Sequence, residues 1–216
     1  LPGGIVRTRT VIPAALALLC CAWLTTPAAS GQFRRILHQG TYVHQGSGFA
    51  FPEAVGGFQR TGITVFNDGA TDVGIGYETG AAGRTIVTTV FVYPAPATAE
   101  TASSRAATEA ARSRACAEHF VEIKAGIETL HPGARLIREG AVASPSPAHA
   151  KPGLRAVFEF GQVLDGRRQT RRSEADLYCY FGGEWLVAYR TTASPGVRHE
   201  AALARLMRAL TWPSRP

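Results

Sequence analysis

Ala175-Asp176-Leu177-Tyr178-Cys179-Tyr180-Phe181 is the stretch whose reading decides the fold. Taken as a strand, it places Ala175, Leu177, Cys179 and Phe181 on one face and Tyr178 and Tyr180 on the other. Thr85 to Tyr93 has the same character, with Ile86, Val90 and Val92 set against Val87, Phe91 and Tyr93. Trp185 to Tyr189 repeats it. Strands that are apolar at both parities need cover on both faces. Two amphipathic helices are available to provide it. The expected class is therefore α+β: an antiparallel or mixed sheet with a helix on each side, an α/β/α sandwich.

Working outward, Gly48 to Phe51, Phe58 to Phe66, Val73 to Glu78 and Thr85 to Tyr93 read as a meander punctuated by Pro52, Asn67-Asp68-Gly69 and Gly80 to Gly83. Gly74 and Gly76 dilute the third of these strands. From about Glu100 to Leu130 proline disappears and alanine, glutamate and arginine dominate. Cys116, Phe120, Ile123, Ile127 and Leu130 recur there at four- and three-residue steps, which is one helical stripe. His131-Pro132-Gly133 ends it. A second meander follows: Arg135 to Val142, Leu154 to Val163, Thr170 to Phe181 and Glu184 to Thr192, with Asp165-Gly166 and Gly182-Gly183 as turns. Ser194-Pro195 reads as the start of a last helix with stripe Leu203, Leu206, Met207 and Leu210.

The cysteines follow from this arrangement. Cys179 points into an apolar layer, and Cys116 lies on the buried stripe of the long helix. If that helix covers that face, the two sulfurs share one interior and form a disulfide; register decides whether they come close enough. Two separate buried thiols are the alternative.

The element order is strand meander, long helix, strand meander, terminal helix. It is carried by Phe51-Pro52 leading into Gly57-Phe58, by Val90-Phe91-Val92-Tyr93-Pro94 before the helix, and by Asp176-Leu177-Tyr178-Cys179-Tyr180-Phe181. Glu184-Trp185-Leu186-Val187-Ala188-Tyr189-Arg190 and the closing Thr211-Trp212 complete it. Over residues 48–213 this resembles the PsbP-like superfamily, which includes photosystem extrinsic subunits, DcrB-type bacterial envelope proteins and a Ran-binding nuclear-import branch. The resemblance implies an α/β/α sandwich acting as an accessory or binding module. It carries over no catalytic residue.

Residues 7 to 30 have the layout of a secretory signal: Arg7 and Arg9, an apolar run from Val11 to Leu24, then small residues to Ala28, Ala29 and Ser30. The run is shorter than the about 20 residues that a spanning helix needs. Leu19 before Cys20 does not suit a lipid-acceptor site. The domain organisation expected is a cleaved signal at 1–30, a polar leader at 31–47 and a single α+β domain at 48–213. The mature chain is then exported, periplasmic and without a membrane span. It keeps Cys116 and Cys179, an even pair suited to an oxidising compartment. The whole chain has 23 basic and 16 acidic side chains. This excess favours an acidic protein, glycan or lipid head-group surface as partner, and an exported chain meets little nucleic acid.

Searching for chemistry excludes more than it finds. None of the six histidines sits at the two-histidine spacing of a helical zinc site. Glu118-His119 and Glu122 lie on the long helix without a second histidine four residues on. Gly46-Ser47-Gly48 lacks the flanks of a nucleophile elbow. Gly74-Ile75-Gly76 is too short for a nucleotide fingerprint. No cofactor, metal or catalytic residue is expected. Arg167, Arg168, Arg171 and Arg172 flank a hairpin turn and form a candidate contact for an anionic partner. Tyr178, Tyr180 and Trp185 are candidate pocket aromatics, with core packing as their alternative. The function expected is an exported, non-enzymatic binding or accessory module. The alternative is a small envelope hydrolase whose site assembles only in space.

Overall fold

A computed structural model describes residues 33–212, save 82, 99–104, 148 and 165. The signal-like segment 1–30 and the turn residue Asp165 lie outside the described residues.

Strands β1 (Arg34–Ile36), β4 (Ala54–Val55), β5 (Phe58–Val65), β6 (Val73–Ala81) and β7 (Arg84–Pro94) precede α1 (Arg105–Leu130). Strands β8 (Arg135–Val142), β9 (Gly153–Leu164), β10 (Arg167–Phe181) and β11 (Trp185–Ala193) follow, and α2 (Glu200–Ala209) closes the chain. The sheet order is β1-β5-β6-β7-β11-β10-β9-β8, with β4 on β5, and every pairing is antiparallel. The two meanders meet where β7 pairs β11. A small hairpin, β2 (Tyr42–Val43) with β3 (Ala50–Phe51), stands apart. Segment 31–47, read as a polar leader, thus supplies β1 and β2, and it buries His44 completely.

The α/β/α sandwich is overturned. Strands take 47% of the described residues and the two helices 21%, so this is a β-rich fold built on one large antiparallel sheet. Each helix is a single element laid on part of that sheet, not a layer. Residues Ala202, Leu203, Leu206 and Met207 of α2 join the larger core cluster with Ile63, Ile75, Val90, Tyr178, Val187 and Tyr189. Phe120 and Ile127 of α1 join a smaller one with Ala156, Phe158, Ala175, Leu177 and Leu186. α1 packs mainly on β9 and β10 and reaches β7 at Tyr93, leaving much of the β5–β6–β7 half of its side without a helix over it. There β7 alternates: Ile86, Thr88, Val90 and Val92 are buried, Val87 is exposed, and Thr89, Phe91 and Tyr93 are half-buried. The apolar residues at both parities signalled two buried faces. One 26-residue helix, about 10–12 Å across with its side chains, is too narrow to cover eight strands about 4.8 Å apart.

Two local details also depart from the sequence pattern. A bulge lies between Tyr178 and Phe181, with Tyr180 at φ +59°. It turns Phe181 to the face of Tyr178, away from Cys179, so the strict alternation expected for this strand fails at its end. Ser194 does not cap the last helix. Its hydroxyl accepts from the Thr85 backbone N–H at 3.0 Å, tying β7 to the end of β11, and the helix starts at Glu200.

The cysteines meet as expected. Cys116 and Cys179 are bonded, with Cα atoms 6.0 Å apart, which fastens α1 to β10. Cross-linking a loop of this length removes denatured-state entropy worth about 4 kcal/mol. Replacing both cysteines by alanine should lower the unfolding free energy by about that amount in a urea titration; an unchanged midpoint would count against the clamp.

Under α2 the core holds a buried ionic group. Arg155 binds Asp176 bidentately at 2.6 Å through both oxygens and lies 3.1 Å from Glu174. His199 Nε2 is 3.4 Å from the other oxygen of Glu174. One guanidinium serves two carboxylates, and burial dominates: Asp176 is pushed up to about 6 despite its hydrogen bonds from Arg155. An acid raised in the folded state gives stability that is full below its unfolded value and lost as pH rises through 6. Between pH 4 and pH 7 the wild type should lose up to about 3 kcal/mol relative to Asp176→Asn. Parallel stability curves for the two proteins would contradict this assignment.

Candidate functional site

The basic hairpin is where the sequence placed it, but its arginines have different neighbours. Pairing to β8 begins at Glu159 and pairing to β11 ends at Arg172, so Phe160–Leu164 and Arg167–Arg171 pair only with each other. They form a two-stranded ribbon extending beyond the sheet. Arg172 is bound to Glu159 at 2.9 Å, and Arg135 takes the other oxygen of Glu159 at 3.2 Å. Half-buried Arg171 donates to the Ala193 carbonyl at 3.2 Å. Arg167 and Arg168 are exposed at the tip beside the exposed Val163.

The three candidate pocket aromatics are not brought together. Tyr178 is fully buried against Tyr189 and Trp212. Tyr180 emerges at the bulge, where Arg112 sits over its ring at 5.1 Å. Trp185 meets the His44 ring edge-on at 4.9 Å and packs over Gly46.

What the structure assembles instead is a trough of about 470 Å³ between α1 and the uncovered part of the sheet. Its walls are apolar: Phe66 and Phe91 below, Ile123, Ile127 and Leu130 from the helix, Ala188 between. Gly74 lies against the Phe66 and Phe91 rings, and a Cβ there would come within 3.1–3.2 Å of both, so a ring would have to give by a few tenths of an ångström. α1 runs along the trough from His119 to Leu130, about 16 Å of helix.

One end is polar. His119 Nδ1 lies 2.9 Å from Glu122 Oε2, and His119 Nε2 lies 2.9 Å from the Tyr93 hydroxyl. A carboxylate only accepts, so in the neutral ring Nδ1–H donates to Glu122 and Nε2 accepts from Tyr93. Burial pushes the Tyr93 hydroxyl well above its ordinary value, and the charges of Asp72 and Glu122 push it further. Asp72 lines the same end, and burial raises its carboxyl. At the other end stands Arg190, whose charge burial disfavours. Burial lowers His131, whose ring stacks on Phe160 at 3.9 Å, and the charge of Arg190 lowers it further.

Sequence reasoning took none of the five polar residues of this trough, Asp72, Tyr93, His119, Glu122 and Arg190, as site residues, and weighed His119 and Glu122 only as metal ligands. Two left a signal. His119 falls three residues after Cys116 and four before Ile123, at the border of the apolar stripe. Arg190 is in phase with Leu186 and Ala188 on a buried strand face.

Among the described residues no group of three or more His, Cys, Asp or Glu is placed to hold a metal ion. No described helix is long and apolar enough to cross a membrane. No family model, curated protein or solved structure matches the chain.

Proposed function

We propose that this chain is an exported, periplasmic, non-enzymatic binding or accessory module, and that the trough beside α1 is where it binds. The observation carrying this reading is the trough itself: apolar walls open to solvent, with charged groups held at its two ends. Concave apolar sites with a few placed polar groups are the usual form of a small-molecule site. The Cys116–Cys179 bridge supports an oxidising compartment, and the layout of residues 7–30 supports export. Arg167 and Arg168 on the ribbon tip offer a separate contact for an acidic protein, glycan or lipid head-group surface.

One observation favours the other reading, an envelope hydrolase: the Tyr93–His119–Glu122 chain has the look of an assembled relay. Its chemistry argues for binding. Tyr93 holds its proton too firmly to serve as nucleophile, and among the described residues no serine, threonine, cysteine or lysine lines the trough. The relay is suited to orienting a hydrogen-bonding group.

Gly126 lines the trough, and nothing stands within 4 Å of where its Cβ would be. Gly126→Leu therefore fills the trough and removes a helical glycine, a gain of about 0.5–1 kcal/mol for the helix. The variant should hold or raise the melting temperature while reducing enhancement of 1-anilinonaphthalene-8-sulfonate fluorescence at least fivefold. Equal enhancement in both proteins would move the site elsewhere. Hydrolysis of p-nitrophenyl acetate should be the same in wild type and His119→Ala; a rate lost with His119 would hand the function to the hydrolase reading.

A further inference from the structure

The occupant of the trough can be narrowed by charge, an inference that rests on the binding reading above. Arg190 makes no hydrogen bond or ion pair to any described residue. Its register neighbours across β7 and β10 are Thr89 and Ala175, neither of which carries charge. Arg155, half-buried like Arg190, has two carboxylates beside it. Arg190 is desolvated at the end of an apolar trough and lacks that compensation. Desolvating a cation is costly unless an anion meets it.

The trough is also polarised. Val73 lies opposite Val92, and Tyr93 opposite Leu186, so Asp72 and the relay sit level with Leu186. Arg190 is four residues further along β11, about 13 Å. Asp72 and Glu122 make the near end acidic, and Arg190 makes the far end basic. A ligand anion is repelled at the first and attracted at the second. Between them lie Phe91, Ile123, Ile127 and Ala188.

We propose that the trough binds a single-chain amphiphile carrying one carboxylate, with the carboxylate on Arg190 and the hydrocarbon along α1. The planar guanidinium offers a carboxylate two parallel hydrogen bonds. The acidic end selects against a second anionic group on the ligand and tolerates a neutral or hydrogen-bond-donating tail.

The test is isothermal titration of the purified protein with decanoate, decanol and decyltrimethylammonium, all below their aggregation concentrations. Decanoate should bind at least 10-fold more tightly than the other two. Arg190→Gln should weaken decanoate about 10- to 100-fold, the effect of one charged hydrogen-bonded contact, and leave decanol unchanged. Arg190→Lys should keep the preference for the carboxylate. If the variants fail to fold, the ranking of the three ligands on the wild type still decides. Decanoate and decanol binding equally would overturn the carboxylate assignment and leave the trough as a binding site. No binding by any of the three would overturn the trough reading and this inference together.

Discussion

The Cys116–Cys179 bond is the constraint that sets the shape of everything on its side of the sheet. It joins the middle of a 26-residue helix to one strand of the second meander. A helix fixed there packs Phe120 and Ile127 onto Ala156, Ala175, Leu177 and Leu186, and it cannot slide toward β6. The small side chains Ala156, Ala175 and Ala188 let the helix approach closely. Larger residues, Phe91 and Tyr93, stand just beyond its edge on β7. The trough is what remains between a helix held over one meander and the aromatic side chains of the other. It follows from where the tether was placed.

The two sides of the sheet treat charge differently. On the α2 side Arg155, Glu174, Asp176 and His199 are gathered into one buried group, where burial, with Glu174 beside it, raises the Asp176 carboxyl to about 6. Such a group contributes little net stability, but removing one member leaves an unpaired buried charge, so its members are mutually dependent. In the trough on the α1 side the opposite charges are apart. Asp72 and Arg190 share a cavity without forming a pair, and each is disfavoured by burial. A core tolerates the first arrangement as structure. The second leaves free energy that a ligand can recover, and this contrast separates the site from the core.

Much of the strand pattern was legible. Arg135 to Val142 forms a strand over the residues predicted, and the hairpins at Gly182-Gly183 and around Gly166 follow from glycine. The cysteine pairing was also readable, because helical and strand periods put both sulfurs on one apolar side. The layering was not. Apolar residues at both parities of β7 were taken as two buried faces, yet Phe91 and Tyr93 are half-buried because the helix lies over β9 and β10 and meets this strand only along its edge, with His119 against Tyr93. Period reports which side chains share a face; it does not report how wide the covering element is. The face of Phe181 was missed for a related reason, since the φ +59° at Tyr180 is a backbone choice that no hydrophobic pattern announces.

The site was hidden by distance along the chain. Asp72 lies just before β6, Tyr93 near the end of β7, His119 and Glu122 on α1 and Arg190 on β11, so no short motif holds more than His119 and Glu122. The basic ribbon shows the opposite error. Its four arginines are adjacent in sequence and looked like one feature, but the strand alternation that brought Arg172 to Glu159 and Arg171 to a backbone carbonyl removed half of the cluster from service. Proximity in sequence overstated the ribbon, and separation in sequence concealed the trough. A charge gains functional meaning when the fold removes it from water and gives it nothing in return. Arg190 meets that condition, whereas Arg167 and Arg168 at the ribbon tip are exposed.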